Sequence, residues 1–250
     1  RISPNAQHVA YVRDQSLYVC DLQGVERCLA SEESPDITWG IAEFVAAEEM
    51  NRQRGFWWAP DSSALAVERA DHSPIRSISI ADPAQPTSKP SLRRYPFAGT
   101  ANALVSLHLV AINGARIAVT WDSVAFEYLT SVQWNAHGLV ISVMSRDQHL
   151  LDIRAVDISS GQTNSLHTEH DEYWVELVVG GPSLLEKGLL MWCGERNGVR
   201  AIVVNNDVIT PHHLQVRSVV RASHDNIIFS ANNVQRPQEL HVFSVHVSGG

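Results

Sequence analysis

The sequence predicts an all-β fold, part of a β-propeller with one short inserted helix. Three observations lead there: a two-strand theme recurs along the chain, its strands are apolar on both faces, and a single helical segment interrupts the β pattern. The theme is a turn rich in Pro, Asp, Asn or Gly, an apolar β-rich strand, a short break and a second strand. Its spacing is roughly 40–70 residues, the range of propeller blades carrying inserted loops. A β-sandwich also has many short strands. A sheet with one wet face, however, alternates apolar with polar residues, whereas blades stacked face to face bury both faces. About five blades are expected in the chain. Such sheets stabilise one another through their neighbours, so a partial ring leaves apolar faces uncovered.

Taken in order, Ser3-Pro4-Asn5 leads to Val9–Val12 and Leu17–Cys20, and Trp58-Ala59-Pro60-Asp61 leads to Ala64–Val67. Trp134–Gly138 leads to Leu139–Val143. Gly188–Trp192 is followed by Ala201–Val204, and Asp225-Asn226 leads to Ile227–Phe229 and Leu240–Phe243. In Leu17 to Leu22, the set Leu17, Val19 and the set Tyr18, Cys20, Leu22 are both mostly apolar.

The exception is Gly40 to Gly55, GIAEFVAAEEMNRQRG. Ile41, Phe44, Val45 and Glu48 have the i, i+3, i+4, i+7 spacing of one helical face. Alanines 42, 46 and 47 are strong helix formers, and the two glycines bracket the segment. Glu48 and Glu49 are adjacent carboxylates that repel each other, and a bound cation relieves the repulsion. A primary ammonium offers three donors, and charge-assisted hydrogen bonds are the strong ones. The plainer reading of the pair alone is a solvated helix face with Glu48 paired to Arg52 at i+4. Phe56, Trp57 and Trp58 read either as a pocket wall or, more simply, as core anchors at the start of a strand.

Other chemistry is thinly represented. His167, Glu169, His170 and Asp171 lie in HTEHDEYW, and His212 is adjacent to His213, but neither group has the spacing of a metal-ligand set. No metal site is expected. No G-x-S-x-G elbow, Walker loop or dinucleotide fingerprint occurs, and Trp192-Cys193-Gly194 reads as a packed thiol. Cys20, Cys28 and Cys193 fit no zinc pattern and are expected to be free thiols, which leans towards a reducing, cytoplasmic compartment.

Composition narrows the function classes. Hydrophobic residues make up 44% of the 250, enough for a sizeable core, and charged residues 18%, below the roughly 25% of ordinary soluble domains. Lys and Arg total 19 against 27 Asp and Glu, a net charge of −8 that argues against a nucleic-acid partner. The richest apolar stretch, Leu104 to Trp121, is broken by His108, Asn113 and Arg116, so no membrane span is expected. Beginning at Arg1-Ile2-Ser3-Pro4, inside what reads as a repeat, the chain is expected to be a piece of a larger protein with no signal peptide.

From Glu43 to Asp61 the string EFVAAEEMNRQRGFWWAPD resembles the dipeptidyl peptidase IV family of the prolyl oligopeptidase clan. That family carries a Glu-Glu pair on a short propeller helix, then Trp-Trp and a Pro-Asp/Asn turn; here these are Glu48-Glu49, Trp57-Trp58 and Pro60-Asp61. Tyr95-Pro96 with Ala98-Gly99 resembles its Tyr-Pro-x-Ala-Gly, and Glu127-Tyr128-Leu129 followed by Trp134 its Tyr-Leu/Ile…Trp strand. Arg146-Asp147-Gln148 with Leu151-Asp152 and Asp157…Gly161 resembles the next blade. The likeness covers nearly the whole chain and weakens after about Trp174.

The resemblance implies an N-terminal eight-bladed propeller and a C-terminal α/β-hydrolase domain with Ser, Asp and His. Residues 1–250 would supply about five to six blades; the hydrolase domain and the early blades, with their substrate-binding arginine, would lie outside the chain. The chain by itself would then contain no catalytic residue and no cofactor, and would be inactive alone. Glu48 and Glu49 would hold the free N-terminal ammonium of a peptide. That grip would place the second peptide bond at the serine, so that X-Pro or X-Ala dipeptides leave; it is positioning by binding energy. The implied partners are such peptides, the protein's own hydrolase domain and a second copy in a homodimer. One departure is that no Phe-x-Arg-like element of the second-residue pocket occurs near Val175-Glu176-Leu177. The alternatives are a propeller that only binds proteins, and an acylaminoacyl-type oligopeptidase of the same clan, which would need no ammonium clamp.

Overall fold

The computed structural model describes residues 1–223 and 225–249, and of these 52% are in strands and 3% in helix. Each of the five sequence themes lies in its own antiparallel sheet. The first sheet joins β1 (His8–Arg13), β2 (Ser16–Asp21) and β3 (Glu26–Ala30) in sequence order. The second is built from β4 (Ile37–Trp39), β5 (Phe56–Trp58), β6 (Ala64–Asp71), β9 (Leu104–Ala111) and β10 (Arg116–Val119), in the order β10-β9-β6-β4 with β5 also pairing to β6. Two elements are inserted into it: helix α1 (Phe44–Glu48), and a hairpin of β7 (Ser77–Ile80) and β8 (Ser91–Arg94).

The remaining sheets are simple meanders. The third runs β11 (Tyr128–Asn135), β12 (Gly138–Met144), β13 (Leu150–Val156), β14 (Thr163–His170). The fourth is β15 (Ser183–Leu184), β16 (Leu190–Arg196), β17 (Val199–Val204), β18 (Asp207–Val208). The fifth is β19 (Leu214–Ala222), β20 (Asn226–Asn233), β21 (Arg236–His246). Three- and four-stranded meanders of this kind are the blades of the expected propeller fold.

Two compact units divide the chain: Arg1–Phe56 with Ser62–Ala118, and Trp57–Asp61 with Val119–Gly250. Within the second, neighbouring sheets share cores. Val140 and Ile153 of the third sheet pack with Leu190, Trp192 and Val203 of the fourth. Met191 and Ile202 of the fourth pack with Val216, Ile227 and Phe229 of the fifth. Burial on both faces follows: every residue of β12 from Leu139 to Met144 is buried, as are five of the six in β17. Within the first unit, Arg27 donates to the Ile112 carbonyl (2.9 Å) and Arg116 to that of Leu29 (2.7 Å), joining the first two sheets.

Two expectations need correction. In β2 only Leu17 and Val19 are buried; Tyr18 stacks on Tyr11 across the strand pair on a more open face, and Leu22 is exposed. The helix covers Phe44–Glu48 rather than most of Gly40–Gly55. Ile41 stands outside it, bridged to Arg54, and the expected apolar face is open, with Ile41 and Phe44 both exposed. The reasons are local: Glu43 caps the helix from outside, and Asn51, at φ 52°, turns the chain back soon after its end.

Candidate functional site

The 40–55 segment is a loop closed at its neck. Ile41 bridges Arg54, and the Gly40 and Gly55 backbones touch so closely that a Cβ on Gly55 would lie 2.3 Å from the Gly40 carbonyl carbon. Gly40 also needs its glycine, since its φ is +77°. Both neck residues bond to the backbone of Glu68 on β6: Gly40 N–H donates to its carbonyl (2.8 Å), and its N–H donates to the Gly55 carbonyl (2.8 Å).

The Glu68 side chain continues the same task inside the loop. Fully buried, its carboxylate accepts the Glu43 N–H (3.0 Å) and pairs with the Arg52 guanidinium. Arg52 also donates to the Arg54 carbonyl (2.8 Å), and its own N–H closes on the Ala46 carbonyl (2.9 Å). Burial pushes Glu68 up to about 6, against the pull of Arg52. Burial raises Glu43 as well, against its hydrogen bonds from Ala46 and Val45. Those bonds, both 2.6 Å, cap the first turn of α1.

On this frame stand Glu48, the last helical residue, and Glu49, its C-cap. Both are exposed, and neither carboxylate bonds to or pairs with another described residue. The Glu48–Arg52 pair expected of a solvated helix face does not form, because Arg52 is turned inward to Glu68. Beside the carboxylates, Phe44 meets Tyr95 edge-on at 5.2 Å, and Tyr95 meets Phe97 at 4.9 Å, so the Tyr-Pro-x-Ala-Gly segment lies against α1.

The other candidates have structural roles. Phe56, Trp57 and Trp58 are all buried, as core anchors should be. His167 stacks on Trp192 at 3.9 Å and lies 2.9 Å from Glu169, which also receives Arg196 at 2.7 and 3.1 Å. Among the described residues no His/Cys/Asp/Glu group is placed to hold a metal ion. His212 and His213 meet edge-on at 5.9 Å. The three thiols are unpaired, and burial pushes Cys193 up to about 12. Arg146-Asp147-Gln148 and Asp157…Gly161 form blade turns, closed by Gln148 N–H to Ser145 (2.9 Å) and Gly161 N–H to Asp157 (2.7 Å). Val175 packs on Met144 and Leu151, while Glu176 pairs with Arg200 at 2.9 Å. No helix among the described residues is long and apolar enough to cross a membrane.

Sequence reasoning missed Glu68. Its signal was a lone carboxylate in the apolar strand ALAVERA, a position that almost always requires a partner.

The family model described as the dipeptidyl peptidase IV (DPP IV) N-terminal region matches residues 1–250. A putative dipeptidyl aminopeptidase of Schizosaccharomyces pombe is 22% identical over 82% of this chain and 28% of its own length. Human dipeptidyl peptidase 8 is 26% identical over 42% of this chain and 14% of its own. The fold is similar to the crystal structure of Porphyromonas gingivalis dipeptidyl peptidase 4, with a TM-score of 0.87 at 18% identity, over 100% of this chain and 37% of that one. A putative dipeptidyl aminopeptidase IV from Bacteroides ovatus gives 0.80 at 20% identity, over 98% and 38%. The chain thus spans well under half the length of these relatives. It belongs to the dipeptidyl peptidase IV N-terminal region family.

Proposed function

We propose that this chain recognises the free N-terminus of peptide substrates for a serine dipeptidyl peptidase whose hydrolase domain lies elsewhere in the protein. Glu48 and Glu49 bind the substrate ammonium and so set the distance to the reacting bond. X-Pro and X-Ala dipeptides are the products. The observation that carries this reading is the pair of exposed carboxylates with no cation of their own, on a loop tied at its neck. Two adjacent anions left this way gain most from a ligand that brings positive charge and three donors. The chain contributes orientation, so the clamp acts through binding energy rather than through bond chemistry.

The test uses the full-length protein and a Gly-Pro chromogenic substrate with a free amine. Glu48→Ala and Glu49→Ala each remove a charge-assisted contact of about 1.5–3 kcal/mol, so kcat/KM should fall by about 10- to 150-fold. N-acylated substrates should be poor for the wild type and insensitive to either substitution. Unchanged kcat/KM in both variants would refute the clamp. Efficient cleavage of acylated peptides would favour the acylaminoacyl alternative.

A further inference from the structure

Building on the ammonium clamp, we propose that Glu68 is a positioning residue: it holds Arg52 inside the loop and thereby keeps Glu48 and Glu49 free of an internal cation. The Arg52 backbone is bonded to Ala46, two residues before Glu48. An arginine attached there and left in solvent would have two carboxylates near it, and a guanidinium pairs readily with such groups. Instead its side chain is only 7% exposed, directed onto a carboxylate that is not exposed at all.

That carboxylate belongs to a rigid strand, not to the loop. Glu68 comes from the middle of β6, paired along its whole length with β9. It engages the loop at Gly40, Glu43, Arg52 and Gly55. One residue therefore closes the neck, orients the N-terminus of α1 and withdraws the competing cation. If Arg52 served packing alone, apolar side chains at 52 and 68 would do as well, since buried ion pairs are commonly no more stabilising than apolar replacements. Withdrawing a cation from the clamp is a task for a buried anion in particular.

The test is a double-mutant cycle in the full-length protein, read as separate KM and kcat for the Gly-Pro substrate. Glu68→Gln keeps an acceptor for Glu43 N–H but releases Arg52 towards the clamp. KM should rise about tenfold, the worth of one charge-assisted contact, with kcat little changed. Adding Arg52→Gln removes the competing cation, and the double variant should return to within about twofold of wild-type KM. A structural role alone predicts the reverse, with the double variant no better than the single. Glu68→Asp keeps the charge and shortens its reach, so it should give a smaller rise with the same rescue, and it replaces the glutamine variant if that does not fold. An unchanged KM in a folded single variant, or no rescue in the double, overturns the proposal. Glu48→Gln/Glu49→Gln separates the two readings: wild-type KM there sinks the clamp itself, whereas a raised KM there without rescue in the Glu68 cycle sinks only the role of Glu68.

Discussion

Glu48 and Glu49 stand on the 40–55 loop without an internal cation, whereas Glu169, from an equally acidic stretch, is held by Arg196 at 2.7 and 3.1 Å and by His167 at 2.9 Å. Both stretches look alike as sequence: carboxylates within a few residues of basic side chains. Their packing separates them. Glu169 lies on β14, against the neighbouring sheet, whose strand β16 supplies Arg196. In the loop the nearby arginine is taken by a carboxylate from β6. An acidic cluster is therefore available to a ligand only where the fold has assigned its counter-charge elsewhere.

Removing Arg52 should have the largest effect. Arg52→Ala leaves Glu68 as a buried charge without its partner, and such losses cost about 3–5 kcal/mol. The expected outcome is a large drop in the denaturation midpoint. A drop no larger than that of a surface substitution would show that the loop does not depend on the pair.

Arg196→Ala probes the other side and should matter less. Arg196 is a third exposed, so its pair with Glu169 is screened and worth about 1 kcal/mol or less. The same pair predicts a pH dependence. Burial, the largest single influence, raises Glu169, but Arg196 and His167 together outweigh it and hold the carboxyl below the usual glutamate range. The unfolded chain then binds the proton more readily than the folded one. This contribution is complete above the ordinary glutamate pKa and is lost as pH falls through the lower folded value. Acid titration of stability should show a shallower loss in Arg196→Ala than in the wild type; identical curves would contradict the assignment.

The smallest effect concerns reactivity. Cys193 lies on β16 of the same sheet as Arg196, and burial keeps it as an inert thiol, whereas Cys28 is exposed. Alkylation of the native protein at mildly alkaline pH should label Cys28 and spare Cys193, as read by peptide mass spectrometry. Equal labelling would mean that the fourth sheet opens readily.

Much of the architecture was legible because it rests on local patterns. Residues such as Leu139–Val143 and Ala201–Val204 are apolar in continuous runs, and a run buried on both faces belongs between stacked sheets. The glycines at 40 and 55 marked the loop correctly, and the structure supplies the reason in their backbone contact. The helix was overextended because its apolar spacing says nothing about a Glu43 cap or a left-handed Asn51. Glu68 was passed over because its partners lie 16 and 25 residues away in the chain.

The order of strands and turns, the acidic pair at 48 and 49 and the glycines that bracket it are properties of the sequence, set by side-chain alternation and backbone freedom over a few residues. Which carboxylates keep a cation was decided by the tertiary structure alone. Side chains far apart in sequence pair only where packing brings them within reach, as β6 does beneath the loop and β14 does against β16, and the pair is stronger the less water reaches it.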